Sequence, residues 1–223
     1  MNEADYSQQT DIFDPEKFTW PIHVIGVGGI GSALLPLLFK IGFGGDLHIW
    51  DIDNVEPHNI PAQLIYRKRD IGMSKVQAVK EFAERQDAEC TVIPHDEFVT
   101  EDSELEGVVF VCVDSQKSRN AIWQAVLANR FTVPFFMDGR IGGEQLQLLT
   151  LSLKDEERVE AYETHWLFPD SQGATLPCAA RTTIQTPAVL AGLMVANLTL
   201  FSRNLPTKAN IKMHLRATQV SIN

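Results

Sequence analysis

Arginine is missing from the chain until Arg67, although a glycine cluster of the kind that cradles phosphate stands well before it. The three cysteines, Cys90, Cys112 and Cys178, are widely spaced and form no CxxC pair. That spacing argues against a disulfide scaffold and a cysteine-rich zinc site, and fits a reducing cytosol. Basic residues are scarce, 19 against 29 acids for a net charge of −10, so neither nucleic acid nor an anionic membrane is expected as the main partner. The longest apolar stretch, residues 187–201, is interrupted by Asn197 and Thr199 and makes a poor membrane span. Repeats and low-complexity tracts are absent. The opening MNEADYSQQTDIFDPEKF is acidic and polar, unlike a secretory or mitochondrial targeting segment, so a cytoplasmic location is expected.

What remains is an ordinary globular composition, 44% hydrophobic and 22% charged over 223 residues, enough for one sizeable core. Residues 1–20 read as a loosely structured lead-in with a short helix near Pro15–Phe18, and residues 21–223 as one domain. HVIGV, DLHIWDID, CTVIP, VVFVCV, VPFFMD and EQLQLLTLSL read as strands. GSALLPLLFKIG is a helix with Pro36 expected in its first two turns, where proline disrupts least. MSKVQAVKEFAERQ gathers Val76, Val79, Phe82 and Ala83 on one helical face, and SRNAIWQAVLANR is the helix after the fourth strand. This alternation predicts a mainly parallel sheet covered on both faces. Residues 154–182 read as a long polar connection, which in a compact domain points to function. TPAVLAGLMVANLTLF is a nearly all-apolar helix, buried or at a subunit contact, and ANIKMHLRATQVSIN reads as a last strand.

Within VIGVGGIGS, Gly26, Gly28, Gly29 and Gly31 lie between the first strand and first helix, with Ser32 next. Glycines there permit a tight turn and let backbone N–H groups meet a phosphate at the helix N-terminus. Asp51 follows about twenty residues later at the end of the second strand, where a carboxylate accepts hydrogen bonds from ribose hydroxyls. The pattern signals a nucleotide and does not by itself separate NAD from ATP.

The segments DIDNVEPHNIPAQ, RDIGMSK and VVFVCVDSQKSRNAI separate them. Over roughly residues 22–200 the chain resembles the ThiF/MoeB-type, ubiquitin-activating-like adenylyltransferases, in particular short zinc-free ThiF-like proteins of phages and mobile elements. The resemblance implies an α/β fold with a Rossmann-like, mainly parallel sheet. It also implies ATP- and Mg²⁺-dependent adenylation of the C-terminal carboxylate of a ubiquitin-like protein, sulfur-carrier protein or peptide. By the same resemblance Asp51 and Asp53 belong to the D-x-D motif, with Asp51 at the ribose. Asn59, Gln63 and Lys75 are expected on the phosphate side, Asp114 at magnesium, and Arg119 in the helix just beyond it. A homodimer through the apolar late helix is expected.

Three departures stand out. Ala62 replaces the family's arginine before Gln63, no arginine stands in residues 1–66 to reach an ATP site, and the family's zinc-ligating CxxC-L-W-P-D is replaced by ETHWLFPD at 163–170, so no structural zinc is expected. Arg140, Arg181 and the Arg67-Lys68-Arg69 run are the candidate substitutes, with Arg140 preferred because it follows the fifth strand at the ligand-binding edge. Cys178 stands where the family carries a cysteine used as acyl acceptor or sulfur-transfer nucleophile. Cys112 reads as core and Cys90 as the start of a buried strand. Two alternatives stay open: a non-catalytic nucleotide-binding scaffold in a ubiquitin-like system, and an NAD-dependent oxidoreductase.

Overall fold

Short strands alternate with helices along the first half of the chain, and the computed structural model describes residues 4–168 and 183–222. The chain runs β1 (Ile22–Ile25), α1 (Gly29–Lys40), β2 (Asp46–Trp50), α2 (Lys75–Arg85), β3 (Thr91–His95) and β4 (Val108–Val111). It continues through α3 (Gln116–Ala128), β5 (Phe135–Gly142), β6 (Gln145–Ser152), α4 (Glu156–Trp166), α5 (Gln185–Ser202), β7 (Asn210–His214) and β8 (Gln219–Ile222). One eight-stranded sheet has the order β3-β2-β1-β4-β5-β6-β7-β8. β3 to β5 are parallel, and β6, β7 and β8 add on antiparallel. The fold is therefore α/β, Rossmann-like and mainly parallel, with an antiparallel extension.

β1 (IHVI) and β4 (VVFV) are buried at every position because helices cover both faces of a parallel sheet. One core joins α1, α2 and α5 to the sheet through residues such as Leu34, Val79 and Met194. The other joins α3 and α4 to the opposite face through Trp123, Val126 and Tyr162. The order reverses between β1 and β4, so α1 and α3 diverge there and leave a crevice beyond the strand ends.

Several expectations need correction. Pro36 sits in the interior of α1, where it removes one intrahelical N–H bond, and burial of Leu34, Leu35 and Leu38 around it sustains the helix. The lead-in forms turns without the short helix near Pro15–Phe18, and it is anchored by Phe13 and Phe18, both buried in the core, with Phe18 6.0 Å from the Phe43 ring. The polar connection contains α4, which buries Val159 and Tyr162. The tail folds as the β7–β8 hairpin, with Thr218 at φ 52° in the turn. Cys90 is half-buried just before β3, a strand with exposed positions.

Candidate functional site

A cleft of about 2650 Å³ opens at the carboxyl ends of the parallel strands and runs on across one face of β5–β8. Its floor at the switch point is the glycine turn. Gly26 takes φ 89°, and a Cβ there would come within 2.9 Å of the Cys112 carbonyl oxygen. Gly31 lets α1 press onto the turn: a Cβ would stand 2.1 Å from the Gly26 carbonyl oxygen. Gly26, Gly28 and Gly29 line the cleft, and Gly31 lies off its wall. Ser32 is also off the wall, contrary to the ligand role expected of it. It is fully buried, and its hydroxyl donates to the Gly29 carbonyl and accepts from the Leu64 N–H. The start of α1 has no side-chain cap and no acid in its first turn, leaving the N–H groups of a positive helix end available to an anion.

Asp51 ties β2 to that turn. Its Oδ2 accepts the Val27 N–H at 2.8 Å and its Oδ1 the Asp53 N–H at 2.9 Å. Burial raises its pKa above the ordinary aspartate value, against the pull of Lys75 and the two backbone donors. Each carboxylate oxygen keeps a lone pair for a further donor such as a hydroxyl. Lys75, the first residue of α2, is buried, with its ammonium 2.7 Å from Asp53 and 3.7 Å from Asp51. A buried lysine is stable only in such company, which holds its charge at the cleft wall. Asp53 itself is largely exposed. Gln63 lines the cleft, and its buried Oε1 has no hydrogen-bond partner. Asn59 is buried and accepts the Glu56 N–H through Oδ1, fixing the short 3-10 turn at Pro57–Asn59.

Asp114 is exposed in the cleft after β4, and the N-cap of α3 is its neighbour Ser115, which accepts the Ser118 N–H. Among the described residues no cluster of three or more His, Cys, Asp or Glu side chains could hold a metal by itself. A hard cation carried by phosphates needs few protein ligands, so the single Asp114 carboxylate suits Mg²⁺ bound with a nucleotide.

Sequence reading missed Asp138 and Tyr162. Asp138 is fully buried near the cleft end of β5 and accepts from Arg119 Nε at 3.0 Å, Arg140 Nη2 at 2.6 Å and Tyr162 Oη at 2.9 Å. Arg119 also donates to the Val113 and Gly139 carbonyls, so its guanidinium braces β4 against β5. Arg140 donates further to the Trp166 carbonyl at 2.9 Å. Burial opposes the Arg140 charge, yet Asp138 and Tyr162 outweigh it and hold the pKa above the ordinary guanidinium value. Two arginines on one carboxylate leave net positive charge at the cleft. The acid and arginine two residues apart in MDGR were a visible hint; the link to Tyr162 depended on α4. Arg67, Lys68 and Arg69 are exposed and off the cleft wall. Cys178 and Arg181 lie outside the described residues. Cys112 is buried, and desolvation pushes its thiol pKa far up.

Residues 18–221 match the model of the ThiF family. The chain is 40% identical over 72 residues to the Nedd8-activating enzyme E1 catalytic subunit of Drosophila melanogaster, a match covering 32% of this chain and 16% of that protein. It is 28% identical over 175 residues to SUMO-activating enzyme subunit 2 of Dictyostelium discoideum, covering 76% and 25% respectively. The chain thus spans a quarter or less of the length of these relatives. A crystal structure of E. coli MccB with ATP shares the fold at a TM-score of 0.71 and 15% identity, over 100% of this chain and 71% of that one. PaaA matches at 0.69 and 16%, over 93% and 73%.

Proposed function

The chain belongs to the ThiF family, and from that premise we propose that it adenylates the C-terminal carboxylate of a ubiquitin-like protein, a sulfur-carrier protein or a peptide at the expense of ATP. The observation that carries this reading is the buried Lys75 ammonium held at the cleft wall by Asp51 and Asp53, beside an uncapped helix N-terminus. A triphosphate would supply the anion that the helix end lacks and a further partner for the Lys75 ammonium, and Asp51 keeps lone pairs for the ribose. The relation to activating enzymes and the MccB structure with ATP support the same assignment.

In this reaction a carboxylate oxygen of the substrate attacks the α-phosphorus, the bond to the β-phosphate oxygen breaks, and pyrophosphate leaves with the electron pair. Negative charge builds on the α-phosphate oxygens, so positioned cations do most of the work. Lys75 and Gln63 face the phosphates, and Arg140 stands in for the arginines missing from the N-terminal part. Asp114 would hold Mg²⁺, which neutralises phosphate charge when bound. Arg119 acts through Asp138 by fixing where Arg140 sits. Thioester formation at Cys178, with AMP as leaving group, is a second step we propose on the family resemblance. Homodimerisation fits the exposed small and apolar positions of α5 at Ala188, Val189, Gly192 and Ala196.

Carboxylate-dependent exchange of labelled pyrophosphate into ATP, with a panel of octapeptides as acyl donors, tests the reaction. Exchange is expected with the wild type, and a fall of about 10²–10³ in rate with Arg140→Ala in a protein that still folds. An unchanged rate in that variant removes Arg140 from the mechanism. ATP binding with no exchange favours the scaffold reading, and NADH binding that excludes ATP favours the oxidoreductase.

A further inference from the structure

Beyond the nucleotide end, the cleft wall is formed by Gln145, Gln147, Lys212, His214, Gln219 and Ser221. The strand register explains why they share a face: Arg140 pairs with Gln147, Gln147 with Lys212, and Lys212 with Ser221. One rung therefore crosses β5, β6, β7 and β8 in the order cation, amide, cation, hydroxyl. The two cations differ in how far they are committed. Arg140 commits Nε and Nη2 to Asp138 and the Trp166 carbonyl and also hydrogen-bonds Tyr162, so its guanidinium is held in place at the nucleotide end of the rung. The Lys212 ammonium lies 4.8 Å from the centroid of the Trp166 ring and has no carboxylate partner among the described residues. Trp166 thus orients both, one through its carbonyl and one through its ring. Between them Gln147 donates to Asn210 Oδ1, which leaves its own Oε1 to accept a peptide N–H.

In a chain of net charge −10, an ammonium without a carboxylate partner on an otherwise neutral stretch of wall, with Arg140 at its nucleotide end, complements an acidic ligand. Arg140 and Lys212 are two strands apart, roughly 9.6 Å at 4.8 Å per strand, and an extended peptide covers that span in about three residues. Resting on the adenylation reading, we propose that the rung selects acyl substrates with an acidic side chain at the third residue from the carboxyl end. The terminal carboxylate lies toward Arg140 and the acidic side chain meets Lys212.

The probes are three fluorescein-labelled octapeptides ending Asp-Gly-Gly, Asn-Gly-Gly and Lys-Gly-Gly, titrated by anisotropy into the full chain without ATP. The aspartate peptide is expected to bind about fivefold tighter than the asparagine peptide, and the lysine peptide more weakly than both. Lys212→Glu is expected to reverse the order, with an unchanged thermal midpoint showing that the fold is kept. Equal binding of all three by the wild type, or an aspartate preference that survives Lys212→Glu, overturns the rung. Pyrophosphate exchange with the same peptides is read separately: the preference without exchange refutes adenylation and leaves the rung standing, and exchange without the preference refutes the rung alone.

Discussion

Asp51 shows how one side chain serves structure and ligand together. Its Oδ2 ties the glycine turn to the end of β2, while its Oδ1 accepts the Asp53 N–H and faces the Lys75 ammonium on the same wall. This group was legible in the sequence because a fixed offset from a glycine turn to an acid follows from the length of a strand–helix–strand unit. Asp138 and Tyr162 were not, since their bond joins residues 24 apart through a helix with few apolar positions to announce it. A second buried polar group makes a prediction about acid. His23 stacks on His48 at a ring distance of 4.3 Å, and its Nδ1 accepts the Trp50 indole N–H at 3.1 Å. Indole can only donate, so a proton on Nδ1 would break that bond. Burial first, and then His48 and His95, lower the His23 pKa to about 3. The folded state therefore refuses a proton that the unfolded chain takes up below about pH 6.5. Stability is full above that value and falls as pH drops toward 3, by about 1.4 kcal/mol per pH unit for this group. Urea unfolding at pH 7, 6 and 5 should show the decline, and His23→Gln should reduce its slope by close to one proton. A slope unaffected by His23→Gln would place the acid sensitivity elsewhere.

Among the elements, strands β1 and β4 and helices α1, α2 and α3 followed from periodicity because burial on a parallel sheet imposes it. The β7–β8 hairpin was hidden by its turn, which holds Thr218 at positive φ and carries none of the Asn-Gly or Asp-Gly signals of a tight hairpin. The contact between α1 and the glycine turn is the element-level feature that decides the site. A methyl group on Gly31 would meet the Gly26 carbonyl oxygen at 2.1 Å, and the obstacle is backbone that cannot swing aside. Gly31→Ala should destabilise the protein by about 1–3 kcal/mol and push α1 off the turn, measured as a lower urea midpoint together with weaker nucleotide binding. Gly143, with nothing within 4 Å of an added Cβ but φ 60°, tests strain without clash: Gly143→Ala should cost less than Gly31→Ala and spare nucleotide binding. Equal nucleotide affinity in Gly31→Ala and wild type would show that the close approach is not needed at the site.

At the scale of the whole molecule, five parallel strands build the nucleotide end and three antiparallel strands extend the same cleft into a polar wall. The first part was readable from motifs. The second depended on which face of β6, β7 and β8 meets the cleft, and that is set by register across strands far apart in sequence. Function at this cleft depends on a polyanion being gripped by the glycine turn and the Lys75 ammonium. Calorimetric titration of ATP with excess Mg²⁺ into the wild type and into Lys75→Met tests it directly. Saturable binding is predicted for the wild type, with affinity at least about tenfold lower in the variant. No heat of binding in the wild type, or equal affinity in both proteins, would contradict it.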